Sequence, residues 1–324
     1  MKSPAVRVAV AYLVSAVVGA VIIGSFVGAL HHPVPHAVPL AVVGQGAGEL
    51  ERAAAGAVEA RPYGDVASAR TAVLRREVEA AYLAGEGRLL VASAGGDTAA
   101  PHFAATMRRA TGRDLAVEDV RPLSEGDSSG VSGMFYVLGL LLAALATTVL
   151  TMRMAPMMNR ALRLAVLALG AVTGGLALTW VVDGLLGALT GAPFALLGVS
   201  CGVIFLVSVA VNGLMRRFGP RGVIAAAVLF IPIGLPASGG PFGAAFIEPW
   251  YAALGYVLPT RSALELVRSV VYFDGAALAT PLTVLGLWAA LGLVLMALPP
   301  RAMPRPAAPA PAAVPVAGAA PGAH

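Results

Sequence analysis

The sequence predicts an α-helical membrane protein with six transmembrane helices, N-in and C-in, and a small α/β extracytoplasmic domain between helices 1 and 2. Three observations predict it. The 324 residues are 58% hydrophobic and 12% charged, against about 45–50% and about 25% in soluble domains, and the mean hydropathy is +0.82. Six apolar stretches punctuate the chain, most of them near the ~20 residues that cross a ~30 Å hydrocarbon core. Between them, Lys and Arg concentrate in alternate turns. The same composition excludes several function classes. One cysteine, Cys201, forbids an internal disulfide or a multi-cysteine metal site, and one lysine, Lys2, forbids a Walker A motif or Schiff-base chemistry. No ATPase motif, no enzyme and no cofactor is expected in this chain.

The first span covers residues 8–30. It is too long for the apolar core of a signal peptide and lacks a small-residue cleavage site after it, so an uncleaved anchor is expected. Residues 31–132 follow as the one segment able to fold in water, with ten Arg against thirteen Asp plus Glu. Within it, residues 38–43 read as a buried strand, 47–56 as a helix, 57–61 as a strand and 65–76 as a helix capped by Asp65. Strands at 79–83 and 88–92 flank Gly85-Glu86-Gly87; a helix over 97–111 and an extended 115–120 complete the domain. Strands alternating with helices predict an α/β sandwich. Gly44-x-Gly46-x-Gly48 has the wrong spacing for a dinucleotide fingerprint and reads as a tight strand-to-helix turn. His31, His32 and His36, separated by Pro33 and Pro35, read as an extended spacer rather than a metal site.

Residues 133–298 supply the remaining five spans, at 134–151, 164–186, 194–215, 223–235 and 278–298. The fifth is short and carries Pro232 and Pro236, so a broken span is expected. An N-in arrangement places Lys2, Arg7, Arg153, Arg160, Arg163, Arg216, Arg217, Arg221, Arg301 and Arg305 on the cytoplasmic side with no acidic residue among them. The net charge of +5 is therefore a topology signal, with no nucleic-acid partner implied. The lipid bilayer of the plasma membrane is the partner composition demands. Residues 299–324, rich in Pro and Ala, read as a disordered cytoplasmic tail.

Residues 236–275 are too apolar for a free loop and too rich in Pro and Gly for one spanning helix. A re-entrant hairpin or interfacial helix pair is expected, with Trp250, Tyr251 and Tyr256 as headgroup anchors. Its second helix, N-capped by Thr260, sets Arg261, Glu265 and Arg268 on one stripe and Leu264, Val267, Val270 and Val271 on the other side. Two readings fit the stripe: charges paired along an interfacial helix, or the wall of an exit vestibule. Asp183, the acidic residue inside a span, and Glu248 join Arg261, Glu265 and Arg268 as substrate-pathway candidates. Ser208 and Asn212 are expected to bond neighbouring helices, and Gly170, Gly174 and Gly175 to permit their close packing. Cys201 is most simply an inert small hydrophobe. The turn 152–163 carries Arg153, Met154, Met157, Met158 and Arg160. It fits either an adaptable docking surface for an ATPase or a plain connector.

Strand residues Pro39-Leu40-Ala41-Val42-Val43 carry a family resemblance, as do Asp119-Val120-Arg121-Pro122 with Asp127 and Gly130. So do Gly234 to Gly240, Leu258-Pro259 to Arg268, and Tyr272-Phe273-x-Gly275. With one helix, an inserted domain and five further helices, they resemble the ABC-2-type exporter permeases, in the phage-infection-protein and nitrosoguanidine-resistance-like branch. The resemblance implies a homodimer or paired permease working with a separate ATP-binding subunit. It further implies a coupling helix between spans 2 and 3, and re-entrant helices capping the outer end of the pathway. An alternative is a non-transporting, membrane-anchored extracytoplasmic binding or envelope-assembly protein.

Overall fold

The computed structural model describes residues 3–96 and 100–299. The tail from 300 onward, with Arg301 and Arg305, and Lys2 lie outside the described residues. Six helices are long and apolar enough to cross a membrane: α1 (Pro4–Leu30), α5 (Ser132–Met154), α6 (Arg160–Thr179, prolonged by a π-turn to Leu185), α7 (Pro193–Phe218), α8 (Pro220–Val228, prolonged to Ala237) and α12 (Ala279–Ala297). The chain is a multi-pass membrane protein by that criterion.

Helix α7 forms the axis of the bundle, and α5, α6, α8 and α12 all pack on it. Small residues make this possible. A Cβ on Gly175 would strike the Cys201 sulfur, one on Gly170 would strike Thr147, and one on Gly213 would strike the Gly292 backbone. Ser208 behaves as expected, donating to the Ala144 carbonyl of α5 at 3.2 Å. Asn212 does not. It is fully buried with neither amide atom hydrogen-bonded among the described residues.

The fifth span is bulged rather than broken. Around Pro232 the helix widens to a π-turn over Leu229–Ile233 and continues as α9 (Gly234–Ala237). Proline removes an N–H and frees a carbonyl one turn earlier, and buried carbonyls need donors. Pro236 leaves the Pro232 carbonyl free, and Ser25 of α1 donates to it. The Phe230 carbonyl takes the Thr260 hydroxyl at 2.6 Å, and the Ile233 carbonyl takes Tyr251 at 3.1 Å.

The segment between α1 and α5 is a five-stranded mixed sheet ordered β2-β1-β3-β4-β5, from β1 (Val38–Val43), β2 (Val58–Tyr63), β3 (Ala80–Leu83), β4 (Arg88–Val91) and β5 (Ala116–Asp119). Strand β1 runs parallel to β2 and β3, with Val38 opposite Val58 and Leu40 opposite Ala80. β3 and β4 are the antiparallel hairpin, and β4 is parallel to β5. Helices α2 (Ala47–Ala53) and α4 (Ala100–Thr111) cover the face of Val38, Leu40 and Val42. Helix α3 (Val66–Leu74), capped by Asp65 accepting from the Ser68 N–H at 2.7 Å, covers the face of Ala41 and Leu83. The first glycine motif is the expected strand-to-helix turn, with Gly46 at φ +95° as the α2 cap.

Helices α10 (Pro249–Val257) and α11 (Pro259–Tyr272) stand between the fifth and sixth spans. Thr260 is not the α11 cap: the helix starts at Pro259 after an extended Leu258, which leaves the Thr260 hydroxyl free for the α8 bulge. Trp250 and Tyr256 are exposed as anchors would be, but Tyr251 is 8% exposed and bonded to Ser25 and Ile233. It ties the hairpin to α1 and α8 instead.

Candidate functional site at the seam of sheet and bundle

The segment after α8 is threaded into the sheet domain on both sides. Phe246 enters the core under α2 and α4, edge-on to Phe103 with centroids 6.1 Å apart. Phe273 enters the core under α3. The spacer after α1 pairs with the same segment, His36 N–H to the Ala245 carbonyl at 2.8 Å and Val34 N–H to the Phe246 carbonyl at 3.3 Å. Burying each phenyl ring contributes roughly 1.5–3 kcal/mol, so the two rings clasp sheet and hairpin together.

Helix α11 lies along this seam. Its apolar side, including Leu264 and Val267, joins the core of the bundle. Its charged side meets the sheet domain. Glu265 forms an ion pair with Arg76, which follows α3, and Arg76 also donates to Ser269 at 2.9 Å and lies over the Phe273 ring. Arg268 is 4% exposed; its Nη2 donates to the Gly240 carbonyl at 2.6 Å and its guanidinium lies flat on Gly96. Gly96 has φ +120°, and a Cβ there would sit 2.8 Å from Arg268 Nη1. Arg261 stacks on Tyr256, 3.8 Å from the ring centroid, and makes no ion pair or hydrogen bond with a described residue. The stripe is therefore not paired along itself; its acidic member reaches across to the other part of the molecule.

Two cavities open along the seam. The larger, about 470 Å³, is lined by Glu79, Arg261, Glu265, Phe103, Phe246 and Tyr256 among others. The smaller, about 200 Å³, shares Glu79, Tyr256, Arg261 and Glu265 and adds Arg76. Glu79 is exposed within them and has no ion pair with a described residue. Burial pushes its carboxyl above the ordinary Glu range, against the pull of Arg76. Burial pushes Glu265 the same way, but Arg76, Arg268 and Arg261 together overcome it and hold that carboxyl below the range. Arg61, Arg76 and Arg261 line these cavities together with Glu59, Glu79 and Glu265, and guanidinia interleaved with carboxylates suit organic charged groups better than a metal ion. The lining combines groups able to form ion pairs with aromatic side chains.

Of the sequence candidates, Arg261, Glu265 and Arg268 thus meet at one site. Asp183 and Glu248 do not. Asp183 sits in the π-turn after α6 and lines neither seam cavity. Glu248 is exposed ahead of α10 and lines a separate apolar groove with Gly24 and Trp250. Sequence reasoning missed Arg76, whose role comes from a contact 189 positions away, and Glu79, which lines the smaller cavity with it. It missed as well the bonded hydroxyls of Tyr136 and Ser200, 2.6 Å apart between α5 and α7.

At the opposite end of the bundle, residues 155–159 are a turn and not a helix. Met154 and Met157 are 83% and 94% exposed, and Arg153 is exposed beside them. Arg160 donates to the Ala297 carbonyl of α12 at 3.2 Å, and Met158 gives its carbonyl to Arg163. Arg163 itself is buried and holds the turn from inside, through the Pro156 carbonyl at 2.9 Å.

Compared with protein-family models, with curated proteins and with solved structures, the chain finds no match in any of the three.

Proposed function

We propose that the chain is the integral-membrane permease subunit of an ABC-2-type exporter, moving a hydrophobic or amphipathic substrate outward with energy from a separate ATP-binding subunit. In this reading the N-terminus and the 155–159 turn face the cytosol of a plasma-membrane protein, the sheet domain stands outside, and two permease chains enclose the path. The observation that carries it is the hairpin of α10 and α11 between the fifth and sixth helices. It returns onto the bundle with one apolar side in the core and one charged side on a cavity. That is the placement a gate at the outer end of a pathway needs. The exposed Arg153, Met154 and Met157 would meet the ATP-binding subunit.

A second reading, a membrane-anchored extracytoplasmic binding or envelope-assembly protein that transports nothing, is favoured by one observation. The 155–159 turn lacks the helix that would couple to an ATPase. Purification from native membranes in mild detergent separates the two. The export reading expects a co-purifying ATP-binding protein that is lost when Arg153, Met154 and Met157 are all changed to Ser, with Arg163 kept to hold the turn. The binding reading expects no such protein.

A further inference from the structure

The larger seam cavity contains two charged side chains without an ion-pair partner among the described residues. Glu265 is neutralised by Arg76, and Arg61 by Glu59 at 2.9 Å. Arg268 is committed to Gly240. That leaves Glu79 and Arg261. They are close enough for Arg261 to pull on the Glu79 carboxyl, yet they form no ion pair with each other. Arg261 is fixed by stacking on Tyr256, so its guanidinium is preorganised rather than mobile. Arg261 is half-buried and Glu79 exposed, so a stacked cation and a solvent-accessible carboxylate near each other offer one ligand two points of opposite charge.

The rest of the cavity states what the bridge must look like. The same lining includes Phe103, Phe242, Phe246 and Ile247. At about 470 Å³ the space is within the ~300–1,000 Å³ of small-molecule sites. We infer that this cavity binds a small zwitterion with an apolar or aromatic body, of the class of an amino acid or short peptide. The ligand carboxylate pairs with Arg261, its ammonium with Glu79, and its body lies against Phe103 and Phe246. This assignment rests on the seam alone and not on the export reading: a binder that transports nothing would use it equally.

Full-length protein in detergent is titrated with L-phenylalanine, 3-phenylpropionate and phenethylamine, which share a ring and carry both charges, the negative one alone or the positive one alone. Phenylalanine is expected to bind at least about tenfold more tightly than either analogue, since each charged hydrogen bond contributes on the order of 1.4 kcal/mol or more. Arg261→Gln should bring phenylalanine to the level of phenethylamine, and Glu79→Gln to the level of 3-phenylpropionate. Arg261→Lys, which keeps the charge, should retain part of the preference and serves as the control for folding, with melting curves recorded for every variant. No saturable binding of phenylalanine or of alanyl-phenylalanine by folded wild-type protein overturns the inference. So does equal binding of the three probes, or unchanged preference in the folded Glu79 and Arg261 variants. Loss of the ATP-binding partner, by contrast, leaves these titrations unaffected.

Discussion

At the residue scale the seam depends on opposite fates for two carboxylates. Glu79 has its folded-state value raised, so it holds its proton more tightly folded than unfolded. Its contribution is complete below the ordinary Glu value and is lost as pH rises through the raised one. Glu265 has its value lowered, so its contribution is present above the ordinary value and is lost as pH falls through the lowered one. Melting temperature should therefore fall less on raising pH above the ordinary Glu value in Glu79→Gln, and less on lowering pH below it in Glu265→Gln, than in the wild type. Removing the Glu265 charge leaves Arg76, 12% exposed, without its partner, at a cost of about 3 kcal/mol. Gly96→Ala should destabilise by a similar amount, because it adds a Cβ against Arg268 at a backbone angle that favours glycine; thermal unfolding in detergent measures both. Arg261 and Glu265 were legible from helical spacing. The partner of Glu265 was not, since spacing describes one helix and Arg76 sits at the end of another element far along the chain.

Among the elements, the prolines of α8 explain why hydropathy and proline content together mislead. Their positions predict a break, but three hydroxyls from three other elements, Ser25, Tyr251 and Thr260, serve the Pro232, Ile233 and Phe230 carbonyls and let the span continue. Thr260→Val keeps the shape and removes the donor to Phe230, so it should cost about 1–3 kcal/mol in thermal unfolding, with α8 the first segment to exchange its amides. The spans themselves were readable from composition because lipid requires long apolar runs. The sheet was readable because Val38, Leu40 and Val42 alternate with residues facing the other layer. What no local pattern announces is the clasp. Phe246 and Phe273 look like ordinary apolar residues of a hairpin, and only the fold puts them into two opposite cores of a domain that begins two hundred residues earlier in about the same place. Phe246→Ala should cost roughly 3–5 kcal/mol and loosen sheet from hairpin, read as faster proteolysis between α9 and α10.

For the whole molecule, one end of the bundle carries the sheet domain, the hairpin and the cavities, and the other carries the arginine-bearing turns. The export reading assigns these ends to opposite sides of the plasma membrane, with the Met157 turn available to a cytosolic ATP-binding subunit. The most direct test is labelling of single cysteines with a membrane-impermeant maleimide in intact cells, in a Cys201→Ser background. The exposed hairpin tip, as Glu86→Cys, should label from outside, whereas Met157→Cys should label only after permeabilisation. Labelling of Met157→Cys in intact cells, or protection of Glu86→Cys until the membrane is opened, would contradict the account.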